Sequence, residues 1–213
     1  MSKLGRLVRR IRYGEPIIVV SGLPRSGTSM TMKMLDAGGL KTVTDDKRSA
    51  DEDNPKGYFE DERVKDLGQM EDRSWLRAAR GKVIKVVSSL LQYLPEDNNY
   101  QVIFMRRNLK EVLASQAKML DRRGEASHSS DEELIAKYES HLEKVEFQLR
   151  FRPWFDALYL DHRSVLADPA GAARQINQFL GGALDERRMA EAVDPNLYRN
   201  RAEDLEAAKR SGP

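Results

Sequence analysis

The sequence predicts an α/β fold with a central, mainly parallel sheet flanked by helices. Three observations carry this prediction. Strand-like and helix-like stretches alternate along the chain, the pattern of strand–helix–strand units. The strand-like runs are short and largely apolar, as strands buried on both faces are. A glycine-bounded loop joins the first of these runs to a helix.

The first run, Pro16 to Ser21, is β-branched and reads as a buried strand. Gly22 to Gly27 is the loop. Thr28 to Ala37 reads as a helix, ended by Gly38 and Gly39. Residues 45–57 form a long polar, acidic loop. Lys82 to Ser88 is the second strand and Tyr100 to Met105 the third, which runs through Arg106 and Arg107 into a helix. Asn108 with Glu111 gives that helix a capping-box pattern, and Ser130 with Glu133 opens another that continues to Phe151. Ala157 to Leu160 is the fourth strand. Asp168 and Pro169 are the cap and first residue of a helix closed by Gly181 and Gly182. No repeat or linker divides the chain, so residues 1–213 read as a single domain with a basic arm over 1–13.

A chain of 213 residues can bury a core of its own. With 40% hydrophobic and 33% charged residues it has the composition of a soluble globular protein. The longest apolar run, Ile17 to Val20, is far short of the roughly 20 residues that cross a bilayer. No apolar stretch of signal-peptide length follows the basic N-terminus, so neither a transmembrane segment nor a secretory signal is expected. The 36 basic and 34 acidic residues nearly cancel, which argues against a general nucleic-acid binder. The absence of cysteine excludes a thiol nucleophile, disulfides and Cys-ligated metal. His128, His141 and His162 lack metal-site spacing, so no metal is expected. The reducing cytoplasm is the default compartment.

Residues 1–13 hold Lys3, Arg6, Arg9, Arg10 and Arg12 without an acid. Leu4, Leu7, Val8 and Ile11 recur among them at helical spacing. The preferred reading is an arm packed on the domain; the alternative is weak contact with a membrane surface or a partner.

Ser21 to Ser29, SGLPRSGTS, lies between a strand and a helix. Unpaired amides and the dipole at a helix N-terminus favour an anion there. Gly22 and Gly27 let the backbone curl around it, and Arg25, Thr28 and Ser29 add charge and hydroxyl donors. The spacing is that of a Walker A loop, but Thr28 stands where its lysine belongs. That departure argues against an ordinary ATP or GTP hydrolase.

The segment Gly22–Leu23–Pro24–Arg25–Ser26–Gly27–Thr28–Ser29 resembles the 5′-phosphosulfate loop of sulfotransferases, in the form found in tyrosylprotein-type and related bacterial enzymes. The resemblance implies a three-layer P-loop fold. It also implies 3′-phosphoadenosine 5′-phosphosulfate (PAPS) as donor, a hydroxyl or amine acceptor on a small molecule or peptide, and no metal. Gly22, Pro24, Arg25, Ser26, Gly27, Thr28 and Ser29 would surround the 5′-phosphosulfate. Arg107 at a strand end, with Ser115 eight residues on, resembles the family's pair for the 3′-phosphate. LADPAGAARQINQFLGG and AVDPNLYRNR also resemble bacterial members, and Tyr198, Arg199 and Arg201 are candidates to close over the nucleotide.

Sulfuryl transfer requires an aimed acceptor and stabilisation of the leaving oxygen. Arg25 and Lys85 are candidates for the second task; Lys85 resembles the strand lysine of many members. The histidine that cytosolic members carry two residues later is Val87 here. The stretch Asn54 to Glu60, NPKGYFE, resembles a bacterial segment in which Glu60 would be the base. Asp61 and Glu62 are its near neighbours. Met30, Met32 and Met34, together with Trp75 and Trp154, read as packing residues, and Asp161 as structural. The competing readings are a P-loop kinase or other phosphotransferase and a non-catalytic nucleotide-binding module. Oligomeric state is left open by the sequence.

Overall fold

The computed structural model describes residues 3–45, 59–122 and 130–194. In chain order it holds α1 (Lys3–Tyr13), β1 (Ile17–Gly22), α2 (Thr28–Ala37), the short α3 (Glu62–Lys65) and β2 (Val83–Val87). There follow β3 (Tyr100–Arg106), α4 (Leu109–Arg122), α5 (Asp131–Phe151), β4 (Phe155–Asp161), α6 (His162–Ala167), α7 (Pro169–Leu180) and α8 (Glu186–Glu191). Three 3₁₀ turns, over 66–68, 74–79 and 88–93, fill the connections around β2.

The four strands form one parallel sheet in the order β2-β1-β3-β4. Alternate residues feed its two faces. Ile17 and Val19 of β1 join Ile84, Val102 and Phe104 under α5 and the 3₁₀ turns, where Val145, Leu149 and Leu91 complete one core. Ile18 and Val20 face the other way, against Met32, Met34 and Leu35 of α2, Ile176 of α7 and Met189 of α8. The result is three layers, as expected, with the sheet between two sets of helices. Met32 and Met34 are fully buried packing residues, and Trp75 and Trp154 pack against the α5-side core. From β1 the chain forms β2 on one side, then crosses to β3 on the other. The strand order reverses at β1, and in open parallel sheets the carboxyl ends of the strands at such a reversal are where ligands bind.

The caps explain the boundaries. Ser130 accepts from the Glu133 amide, Asp168 from Gly171, and Asp161 from Ser164 at the start of α6, which gives Asp161 its structural role. At α4, Asn108 accepts from the Lys110 amide, whereas Glu111 pairs with Arg107 at 2.9 Å.

The arm is a helix docked by its charges. Arg6 pairs with Asp156; Arg9 donates to the Asn99 side chain at 2.9 Å and to the carbonyls of Glu96 and Asn98. Leu4, Leu7, Val8 and Ile11 therefore point away from the domain, Leu4 with 71% and Ile11 with 79% of its surface exposed. The arm is packed, but through the face that a soluble helix ordinarily turns to water. Among the described residues no helix is long and apolar enough to cross a membrane.

Candidate functional site

The loop from β1 to α2 sits at the carboxyl edge of the sheet. Gly22, the last residue of β1, has φ +152, and a Cβ there would lie 2.4 Å from Ser26 Oγ and 2.6 Å from the Met105 carbonyl. Only glycine lets the loop fold back this tightly. Gly27 precedes α2 with φ +102 and, having no side chain, offers the first-turn amides no cap. Ser26 Oγ is buried without a hydrogen-bond partner. Pro24 is exposed at the turn, Thr28 is buried in the first turn of α2, and Ser29 beside it is partly exposed. Uncapped amides, an orphaned hydroxyl and an arginine form a donor set suited to a phosphate or phosphosulfate group.

Arg25 occupies the left-handed region, φ 70, unusual for a non-glycine residue. Two bonds hold it. Its Nε donates to Ser115 Oγ at 2.9 Å, and its carbonyl accepts from Arg107 Nη1 at 2.9 Å. Arg107 lies just beyond β3 and its Nε donates to Glu111 Oε2, one turn into α4. Both side chains of that pair are almost entirely buried. Thus the Arg107–Ser115 pair that the sequence singled out lies against the β1–α2 loop.

Lys85 is on the middle of β2, opposite Val20 of β1. Its side chain is 9% exposed, and its ammonium donates to Ser29 Oγ at 3.3 Å and Glu60 Oε1 at 3.0 Å. This is an inward position, where a strand-end lysine would reach solvent. Glu60 is fixed through its backbone, with its carbonyl accepting from Asp45 N and Thr44 Oγ1, both at 3.2 Å. The residue before it, Phe59, is also left-handed at φ 50. The three neighbouring acids are separable. Asp61 is buried, caps α3 and binds Arg63, whose hydrogen bond holds its carboxyl below the usual range. Glu62 is exposed on Lys65. Of these three, Glu60 bonds Lys85, which in turn donates to Ser29 at the start of α2.

Two histidines lie closer to this edge than their sequence context indicates. His162, at the start of α6, packs beneath the loop; a Cβ on Gly27 would lie 2.6 Å from its Cδ2. Burial, reinforced by the charge of Arg107, pushes its imidazole down to about 4. His141 of α5 meets Ser88, the residue after β2, at 2.8 Å, and burial lowers its imidazole too. No local spacing announces either contact. Tyr198, Arg199 and Arg201, the NPKGY stretch and His128 lie outside the described residues. Among the described residues no cluster of His, Asp or Glu has the form of a metal site.

The family model described as a sulfotransferase domain matches residues 15–205. The chain belongs to the sulfotransferase family. This sulfotransferase is similar to a solved sulfotransferase from Alicyclobacillus acidocaldarius, at 17% identity and TM-score 0.48, with 91% of each chain covered. A sugar kinase from Janibacter sp. aligns at 14% identity and TM-score 0.44, covering 86% of this chain and 98% of its own. Mouse sulfotransferase SULT7A1, solved as a complex with PAP, aligns at 15% identity and TM-score 0.45, covering 89% of this chain and 68% of its own. Likenesses at these scores carry no weight for donor or acceptor. No curated protein matches the chain.

Proposed function

We propose that this sulfotransferase moves a sulfuryl group from PAPS to a hydroxyl or amine of a small molecule or peptide. The observation that carries the reading is the hydrogen-bonded junction of two anion elements, Arg25 with Ser115 and Arg107. A nucleotide with phosphates at both its 5′ and 3′ positions needs two such elements side by side. The lysine that a kinase loop places on its phosphates is Thr28 here, and the lysine near the loop comes instead from β2.

The donor supplies an electrophilic sulfur with a phosphate leaving group. The amides of the first turn of α2, with Ser26, Thr28 and Ser29, bind the 5′ end. Arg107 and Ser115 bind the 3′-phosphate. Lys85 and Arg25 offset the charge that grows on the bridging oxygen. Glu60 takes the acceptor proton onto its carboxylate as the new S–O or S–N bond forms and the old S–O bond breaks. Its bond to Lys85 keeps base and electrostatic group in one unit. The outward apolar stripe of α1, beside Arg10 and Arg12, supports weak contact with an anionic lipid surface as part of the same reading.

Calorimetry with 3′-phosphoadenosine 5′-phosphate (PAP), with and without EDTA, tests the assignment against Mg-ATP. Metal-independent preference for PAP is expected. Preference for Mg-ATP refutes it.

A further inference from the structure

Glu60 owes its place to a strip of chain that precedes it by 16 residues. Residues 41–43 lie parallel to β2 along its outer side. The Val43 amide donates to the Val83 carbonyl at 2.8 Å, and the Val83 amide donates to the Lys41 carbonyl at 2.9 Å. Thr42 is level with Val83, so two residues further in the same register Thr44 comes level with Lys85. From there three hydrogen bonds reach the Glu60 segment. The Asp45 amide and Thr44 Oγ1 both donate to the Glu60 carbonyl at 3.2 Å, and the Glu62 amide donates to Asp45 Oδ2 at 2.8 Å. Two successive peptide groups are thereby held. Phe59, just before them, is left-handed at φ 50, a conformation that persists only where its surroundings over-determine it. From this clamped backbone the Glu60 carboxylate accepts from Lys85 at 3.0 Å. Both members of the pair are set from one strand edge, Lys85 directly and Glu60 through the strip.

We propose that Thr44 and Asp45 are positioning residues for Glu60, fixing the backbone from which its carboxylate reaches Lys85. The proposal rests on the reading of Glu60 as the base and adds to it what aims that base. A reacting group displaced by about 1 Å can lose about 10²-fold in rate, so a clamp of this kind bears on turnover without touching the donor. Asp45 has a second set of neighbours. Its charge is felt by Asp61 and Arg63, the ion pair at the start of α3. Asparagine at this position keeps an oxygen to accept from the Glu62 amide and removes the charge, so it separates the two roles.

The test has two readouts on wild type, Thr44→Val, Asp45→Ala and Asp45→Asn, each checked for folding by thermal melts. The first needs no substrate. In protein labelled with ¹³C at the glutamate carboxyls, the Glu60 resonance is identified by its loss in Glu60→Gln. Lys85→Met should shift that resonance in wild type and in Asp45→Asn, and should leave it nearly unmoved in Asp45→Ala, where the contact is already broken. The second is hydrolysis of PAPS, in which water attacks sulfur, Glu60 takes its proton, and PAP and sulfate leave. Asp45→Ala should lower kcat by about 10²-fold with KM for PAPS unchanged, and Asp45→Asn should restore most of the rate. Thr44→Val, which loses one of the two bonds to the Glu60 carbonyl, should fall between. In the Glu60→Gln background the Asp45→Ala change should have no further effect. A full response to Lys85→Met in Asp45→Ala overturns the proposal, as does an equal loss of rate with and without Glu60, or an Asp45→Asn variant as slow as Asp45→Ala. Wild-type hydrolysis by Glu60→Gln removes the base reading alone, because the resonance still judges the clamp.

Discussion

Gly27→Ala isolates the contact between the β1–α2 loop and its histidine floor. Alanine at φ +102 bears the backbone cost of a left-handed conformation, about 1–2 kcal/mol. Its Cβ would also lie 2.6 Å from His162 Cδ2, too close for any real contact, so the loop or the buried ring must move. Overpacking of this kind costs about 1–3 kcal/mol. The total should be about 2–5 kcal/mol, measured by urea denaturation followed through Trp75 and Trp154. Gly39→Ala is the control. Gly39 has φ +95 with nothing within 4 Å of its missing Cβ, so it should show the backbone cost alone. The double variant Gly27→Ala/His162→Ala should be less destabilised than the two single changes added together, by about 1–3 kcal/mol. Additivity, or equal costs at Gly27 and Gly39, would refute the packing argument.

Glu60→Gln should leave PAP binding near normal and reduce transfer by roughly 10²–10⁴-fold, whereas Glu62→Gln should do little; near-normal turnover in the first removes Glu60 from the mechanism. His162 gives a pH signature. Its folded value of about 4 lies below the ordinary 6.5, so the unfolded chain takes the proton first as pH falls. Its contribution is complete above about pH 6.5 and is lost towards pH 4, about 3 kcal/mol in all. Melts of His162→Leu across that window should show a correspondingly shallower decline than wild type. Vesicles rich in phosphatidylserine should co-sediment weakly with wild type, and Leu7→Ser/Ile11→Ser should abolish this; equal sedimentation refutes a lipid role for α1.

The sheet was legible because each buried strand is a compact apolar run, and because glycines, Ser130, Asp168 and Pro169 mark the helix ends. Strand limits shifted by a residue or two: β4 begins at Phe155 and ends at Asp161 rather than spanning Ala157 to Leu160. The helices α6 and α8 are too short to show a period, and the 3₁₀ turns have none. The β1–α2 loop and Arg107–Ser115, proposed above to hold the donor, stand out in the sequence as spacing on strand–helix junctions. What spacing does not carry is contact across the sheet. Lys85 meets Glu60 from 25 residues away, and Arg25 meets Ser115 from 90. His162 reaches Gly27 only because β4 delivers α6 beside the loop. The arm inverts a rule: amphipathic spacing marks a helix but does not say which face docks, and at α1 arginines satisfied by Asp156 and Asn99 decided it.

Arg25 sits where glycine would be at ease, and that separates two kinds of selection. Arg25→Gly relieves a left-handed residue, about 1–2 kcal/mol. It also brings glycine's greater chain entropy, about 0.5–1 kcal/mol, and loses the bond to Ser115, about 0.5–1.5 kcal/mol. The folded state gains almost nothing either way. A mutational survey scored by abundance or melting temperature would pass over this position as neutral, while one scored by turnover would find it intolerant. Stability-guided redesign would therefore be free to discard the arginine, and if Arg25 has the role proposed above, the protein that resulted would fold and be silent.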